Sequence, residues 1–131
     1  MNPIEAIQFH AATAKNDRRV VRSIPIGRGV RQGDIYIWRV EDDHPRGSLL
    51  ASNQLAVGES TGSRHMAEGA ECYEGVKVPE WVDNSIPLGP VVVAKTTWKN
   101  THIEHADYEL PEGTYQVCHQ LDVRTMRRVQ D

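Results

Sequence analysis

Tyr115, Val117, His119, Leu121 and Val123 occupy every second position near the end of the chain. A strand repeats its side-chain direction every two residues, so this row predicts a strand whose inner face carries one imidazole, His119, among apolar neighbours. Ile35-Tyr36-Ile37-Trp38-Arg39-Val40 is rich in β-branched and aromatic residues and apolar on both faces, which predicts a strand central to a sheet. Val91-Val92-Val93-Ala94-Lys95 predicts a short buried strand, and Leu49 to Val57 carries a weaker signal of the same kind. Met66 to Val82 reads as strands around turns at Gly69 and Gly75. Arg31-Gln32-Gly33-Asp34 and Pro111-Glu112-Gly113 read as turns, and residues 42–47 and 58–65 as polar loops.

The beginning of the chain follows a different pattern. Asn2 suits a helix cap, Pro3 the first helical position and Glu5 the reciprocal contact to the cap, so a short helix is expected from Pro3 to about Ala14. Its apolar stripe, Ile4, Ile7 and Ala11, is thin, and such a helix needs a surface to dock on. Residues 19–26 are expected to form an extended arm or edge strand, with Pro25 arguing against a central position. Short strands between Gly/Pro turns indicate a mainly β fold, a small antiparallel barrel or sandwich with a short N-terminal helix and an extended basic arm. Residues 1–30 would form the helix and arm, and residues 31–131 the β-rich domain.

The 131 residues fit one domain, and a mean hydropathy of -0.53 with 6% aromatics requires a core built mostly from Val, Ile and Leu. No run approaches the roughly 20 apolar residues of a membrane span, and no signal-peptide layout opens the chain, so no membrane partner is expected. Cys72 and Cys118 are too few for a disulfide framework and are expected as reduced thiols. The net charge of -3 is unevenly spread. Lys15, Arg18, Arg19, Arg22, Arg28 and Arg31 lie close together near the start, whereas Glu59, Glu68, Glu71, Glu74, Glu80 and Asp83 dominate the middle. Opposite patches of this kind suit head-to-tail self-association, and the basic segment also suits nucleic-acid phosphates. In that second case Tyr36 and Trp38 would stack on bases.

His102, Glu104 and His105 supply two imidazoles and a carboxylate within four residues, a donor set suited to zinc or another divalent metal if the backbone curls there. His65 and His119 are the natural distant ligands, while Glu104 beside the second histidine departs from the H-E-x-x-H spacing. Cys118 and His119 are adjacent on a strand and point opposite ways, so they do not form a nucleophile–base pair. No catalytic residue is assigned.

Arg31-Gln32-Gly33-Asp34-Ile35, Gly58-Glu59-Ser60-Thr61-Gly62-Ser63-Arg64-His65, His102-Ile103-Glu104-His105 and Leu110-Pro111-Glu112-Gly113-Thr114-Tyr115 together resemble a set of short bacterial and bacteriophage proteins, over residues 31–120 or so. The resemblance implies a phage or bacterial source, and a cytoplasmic or virion location, rather than a mechanism. In such proteins the middle loop reads Gly-His-x-His, and here Ser63 replaces the first histidine. A fainter similarity is to cupins. Their first motif has its counterpart in Ser63-Arg64-His65 with Glu68 or Glu71, and their second in Gln116 and His119 after Pro111-Glu112-Gly113.

The resulting expectation is a non-enzymatic binding or assembly protein, phage-encoded, that self-associates or coats a larger structure through Arg18, Arg19, Arg22, Arg28 and Arg31. The alternatives are a metal-dependent, cupin-like enzyme or metal-binding regulator using His65, His102, Glu104, His105 and His119, and a nucleic-acid-binding protein.

Overall fold

The computed structural model describes residues 19–57, 64–102, 106–122 and 127–128. Every regular element among the described residues is a strand: β1 (Arg19–Val20), β2 (Gly29–Gln32), β3 (Ile35–Val40), β4 (Arg46–Leu49), β5 (Gln54–Val57), β6 (Arg64–Glu68), β7 (Glu71–Gly75), β8 (Leu88–Ala94), β9 (Trp98–His102), β10 (Tyr108–Leu110), β11 (Gly113–His119), β12 (Leu121–Asp122) and β13 (Arg127–Arg128). A five-stranded sheet in the order β1-β10-β9-β6-β5 packs on a six-stranded sheet in the order β2-β3-β11-β8-β7-β4, and β12 and β13 pair separately. The β1–β10 ladder is parallel and the others are antiparallel. The fold is therefore mainly β and sandwich-like, and it is not a closed barrel. No helix among the described residues is long and apolar enough to cross a membrane.

The period-two pattern explains the core. On β3, Ile35 and Ile37 are buried on the inner face while Tyr36 and Trp38 stand on the outer one. Tyr115 and Val117 of β11 and Val92 and Ala94 of β8 continue that inner face. Leu55, Ala67, Trp98, Tyr108 and Leu110 face them from the five-stranded sheet. Full burial of each large aliphatic side chain contributes roughly 1.5–3 kcal/mol.

The strands β8 and β11 are buried on both faces, because the segment 76–87 folds back over the six-stranded sheet. Its Lys77 carbonyl meets His44 Nε2 at 3.0 Å, and Trp81 packs edge-on against Trp38 at 6.1 Å. The chain passes between the sheets at Gly69-Ala70, at residues 95–97, at Pro111-Glu112 and, earlier in the chain, at residues 21–28 and 50–53. Gly69 takes φ +87 at the Gly69-Ala70 corner, a conformation that glycine adopts without steric cost.

Several boundaries differ from the sequence expectation. Gln32 belongs to β2 and faces inward two residues after Val30, so the turn shrinks to Gly33-Asp34, with Gly33 at φ 58. The weak segment 49–57 resolves into β4 and β5 with a bend at Ala51. His102 ends β9 instead of opening a loop, and the last long strand stops at His119, where Gln120 N donates to Asp34 O at 2.8 Å. The arm is built into the sandwich: β1 adds to the edge of the five-stranded sheet and Ile24 joins the core. The helix expected from Pro3 to Ala14 lies outside the described residues.

Candidate functional site

Polar side chains gather at one end of the sandwich interior. The inner face of β9 reads Trp98, Asn100, His102, and the ladder with β6 sets His65 opposite His102 and Ala67 opposite Asn100. In the other sheet, Gln32 pairs with Ile35 on β3, and His119 pairs with Ile35 from the opposite side. Gln32, Asp34, His65, Asn100, His102 and His119 are all buried. The opposite end holds Trp98 against Tyr115, edge to face at 5.3 Å.

His65 links the two sheets. Gln32 Nε2 donates to the carbonyls of Asn100 at 3.1 Å and Ala106 at 2.8 Å, which turns Gln32 Oε1 toward His65 Nδ1 at 2.8 Å. An amide oxygen only accepts, so Nδ1 carries a hydrogen and donates it. Nε2 lies 2.7 Å from Asp34 Oδ1, and a proton occupies that contact as well. Asp34 comes from the β2–β3 turn and His65 from the other sheet, so this short bond also ties the two sheets together at this end. With both ring nitrogens hydrogen-bonded, His65 has no lone pair available for an ion or a substrate proton unless one of these bonds breaks.

The His102 ring packs against that of His65, with centroids 4.4 Å apart and planes tilted by 44°. The Asn100 side chain, with 0% exposure, has no hydrogen-bond partner for Oδ1 or Nδ2 among the described residues. A buried amide group left unpaired costs about 1–3 kcal/mol per unsatisfied group, and stable folds rarely carry such a group.

The structure thus brings His65, His102 and His119 to the same end of the interior. Glu104 and His105 lie outside the described residues. Among the described residues, no group of three or more His, Cys, Asp or Glu side chains is arranged to hold a metal ion. Gln32, Asp34 and Asn100 were not singled out by the sequence reading. A signal for two of them was present, since Gln32 and Asn100 each stand two positions from inward apolar residues, Val30 and Trp98.

Among the described residues, the basic side chains are divided between the two sheets. Arg19 donates to Tyr108 Oη at 3.0 Å and lies over the Tyr108 ring, while Arg31 donates to Gly33 O and Gln120 Oε1 and lies over the Tyr36 ring. Arg22 and Arg28 are exposed, and Arg18 lies outside the described residues. On the outer face, Tyr36 stacks with Trp38 at 6.3 Å. Trp81 and Ile26 line a neighbouring cleft of about 370 Å³ together with Glu41, Asp43 and Glu80. Those carboxylates oppose phosphate binding beside the aromatic strip.

Both cysteines are free and buried. Burial pushes the Cys72 thiol up to about 11 and the Cys118 thiol up to about 12, so neither is a thiolate near neutral pH. Burial likewise raises the Tyr115 hydroxyl to about 12, against a smaller opposing effect of Arg39. That hydroxyl donates to Pro111 O at 2.7 Å.

Fold and site together define a two-sheet β sandwich with an apolar core at one end and a buried histidine–carboxamide–carboxylate network at the other. Residues 31–120 match the model of a family described as a domain of unknown function (DUF8820), and the chain belongs to that family. No curated protein and no solved structure matches the chain.

Proposed function

We propose that this domain is a non-enzymatic binding and assembly protein that associates head to tail through oppositely charged edges of its six-stranded sheet. One observation carries the reading. The strand β2, with Arg28 before it and Arg31 on it, forms one edge of that sheet, while Glu71 and Glu74 lie on β7, next to the opposite edge strand β4. Glu68 adds to the acidic side from the end of β6, where Lys99 stands opposite it in register and Lys95 shares a cleft with Glu71, while Arg46 on β4 lies over the Tyr73 ring at 5.3 Å. An edge strand presents unpaired backbone groups, so complementary charge at the two edges favours the joining of one copy's β2 side to the next copy's β4 side. Exposed Val20, Ile26, Leu49, Val76 and Trp81 offer apolar contact to a partner. A phage-encoded setting, in which such a protein coats or completes a larger structure, suits this behaviour.

Light scattering and sedimentation over a range of concentration and salt test the proposal. Association is expected at low ionic strength and should weaken as salt screens the edges. Glu71→Lys with Glu74→Lys, and separately Arg28→Glu with Arg31→Glu, should each give monomers. Mixing the two variants should restore a complex, because each retains one native edge. A wild-type chain that stays monomeric at low salt and high concentration would end the assembly reading. Because residues 19–30 are part of the sandwich, an arm deletion should remove only residues 1–18.

A second reading, a metal-binding protein of cupin-like type, is favoured by the packing of His65 against His102 with His119 at the same end. It needs Glu104 or His105 as further ligands, and it needs His65 to exchange its Gln32 or Asp34 bond for the ion. Elemental analysis of protein purified without chelator, alongside the His102→Ala/His105→Ala variant, tests it. Equal metal content in the two proteins would dispose of it.

A further inference from the structure

We infer that the cleft beside Trp81 is a docking site for an arginine side chain presented by an extended peptide segment of a partner protein. The site is separate from the charged sheet edges on which the assembly reading rests. The cleft has a volume of about 370 Å³, and pockets that hold ligands run to roughly 300–1,000 Å³. Buried Val40 and Val78 form its base, while Ile26 and Trp81, exposed at 51% and 45%, stand at its sides. Glu41, Asp43 and Glu80 surround this apolar surface, and Lys77 is the one lysine or arginine on the lining among the described residues. None of these carboxylates has a hydrogen bond or ion pair to another side chain among the described residues.

Hydrogen bonds hold the walls of the cleft in place. Gly27 N donates to Arg39 O at 3.0 Å and Arg39 N to Arg28 O at 2.8 Å, which fixes the Ile26 side against the end of β3. Gln116 Nε2 donates to the carbonyls of Gly89 and Val117, each at 2.9 Å, which turns Gln116 Oε1 toward His44 Nε2 at 3.0 Å. The same nitrogen lies 3.0 Å from Lys77 O. Both oxygens only accept, so Nε2 carries the hydrogen they share, and the β3–β4 loop is tied to the segment that bears Trp81. The cleft is preformed, and little ordering opposes binding there.

The lining selects the occupant. Carboxylates in excess over Lys77 favour a cation, and the apolar base with its half-exposed indole favours one on an apolar stem, because methylene burial and cation–π attraction then act together. Arginine suits the site better than lysine, since its planar guanidinium stacks on an indole and donates to carboxylates in its own plane. The outer face of the six-stranded sheet extends the site. Trp81 packs edge-on against Trp38, and Trp38 stacks on Tyr36, so residues flanking the arginine have an aromatic strip to lie on. A free small cation would leave that strip uncovered, and nucleic acid is repelled by the same carboxylates.

The test titrates the full chain, labelled with nitrogen-15, with the blocked peptide acetyl-Gly-Arg-Gly-Arg-Gly-amide while the Trp81 indole N–H resonance is followed. A saturable shift is expected, and none with the same peptide carrying citrulline, the uncharged isostere, in place of arginine. Replacing the carboxylates together, Glu41→Gln with Asp43→Asn and Glu80→Gln, should weaken binding roughly tenfold by calorimetry. The Glu71→Lys/Glu74→Lys variant should bind the peptide as the wild type does, which separates this site from the assembly edges. No saturable shift, or an equal response to the citrulline peptide, would overturn the inference. Agmatine binding as tightly as the peptide would assign the cleft to a free small cation, and a Trp81 shift that follows protein concentration without peptide would assign it to a second copy of this chain. Either result would also overturn the inference. Should the carboxylate variant not fold, the arginine–citrulline comparison on the wild type decides the question alone.

Discussion

At one end of the sandwich interior Trp98 meets Tyr115 edge to face, with Leu110 in register beside it, while further along the same strand His102 packs on His65, which is bonded to Asp34 and Gln32. The first end is held by contact area, which is non-directional and degrades gradually as atoms are removed. The second depends on donors meeting acceptors at fixed angles, and a missing partner leaves its mate buried and unpaired. One end therefore specifies that the sheets pack, and the other specifies the offset at which they pack.

Trp98→Ala should produce the largest loss at the apolar end, about 3–5 kcal/mol in urea unfolding, because it opens a cavity among well-packed aromatics. A cost near 1 kcal/mol would mean that this end collapses freely. At the polar end Asp34→Ala should cost a comparable amount, about 3–5 kcal/mol, since it strands the buried His65 ring. The contrast sharpens in the double variant: Asp34→Leu with His65→Leu should cost much less than Asp34→Ala alone, whereas adding Tyr115→Ala to Trp98→Ala should increase the loss. Additive behaviour at the polar end would remove the distinction drawn between the two ends.

Tyr115→Phe should cost only about 0.5–1.5 kcal/mol, the net worth of its bond to Pro111, because the ring contact to Trp98 survives. The last effect is absent near neutral pH and grows only in alkali. Cys72, Cys118 and Tyr115 ionise at about 11, 12 and 12 in the fold, against ordinary values of 9.0, 9.0 and 10.0. Their folded values are raised, so the stability linked to them is intact below pH 9 and declines as pH climbs from about 9 toward 12. Thermal melts across that range, with alkylation of the thiols as a second readout, check this. Rapid alkylation of folded protein at neutral pH would contradict the burial of both sulfurs.

Much of the fold was legible. The strands around Ile35–Val40 and Val91–Val93 follow from their β-forming, apolar composition, and the inward direction of His119 from side-chain alternation. Gln32 was hidden because Arg31-Gln32-Gly33-Asp34 carries turn chemistry, and only the pairing of β2 with β3 shortens that turn to two residues. Asn100, and the placement of His102 on a strand, were hidden because a short polar strand has little local signal. Lys99, Asn100 and Thr101 are extended because β6 and β10 pair with them on either side.

From its own pattern the sequence determined a β-rich domain, the parity of its longest strands, two unpaired cysteines and an uneven distribution of charge, since all of these depend on residues close in the chain or on simple counts. Tertiary structure decided that His65 lies opposite His102, that Asp34 and Gln32 close on His65 from the other sheet, and that Arg31 on β2 and Glu71 and Glu74 on β7 lie toward opposite sides of the six-stranded sheet. Pairing register is a long-range choice in which a slip of one residue would turn every inward side chain outward. It is settled by the whole core at once, beyond the reach of any local stretch of residues.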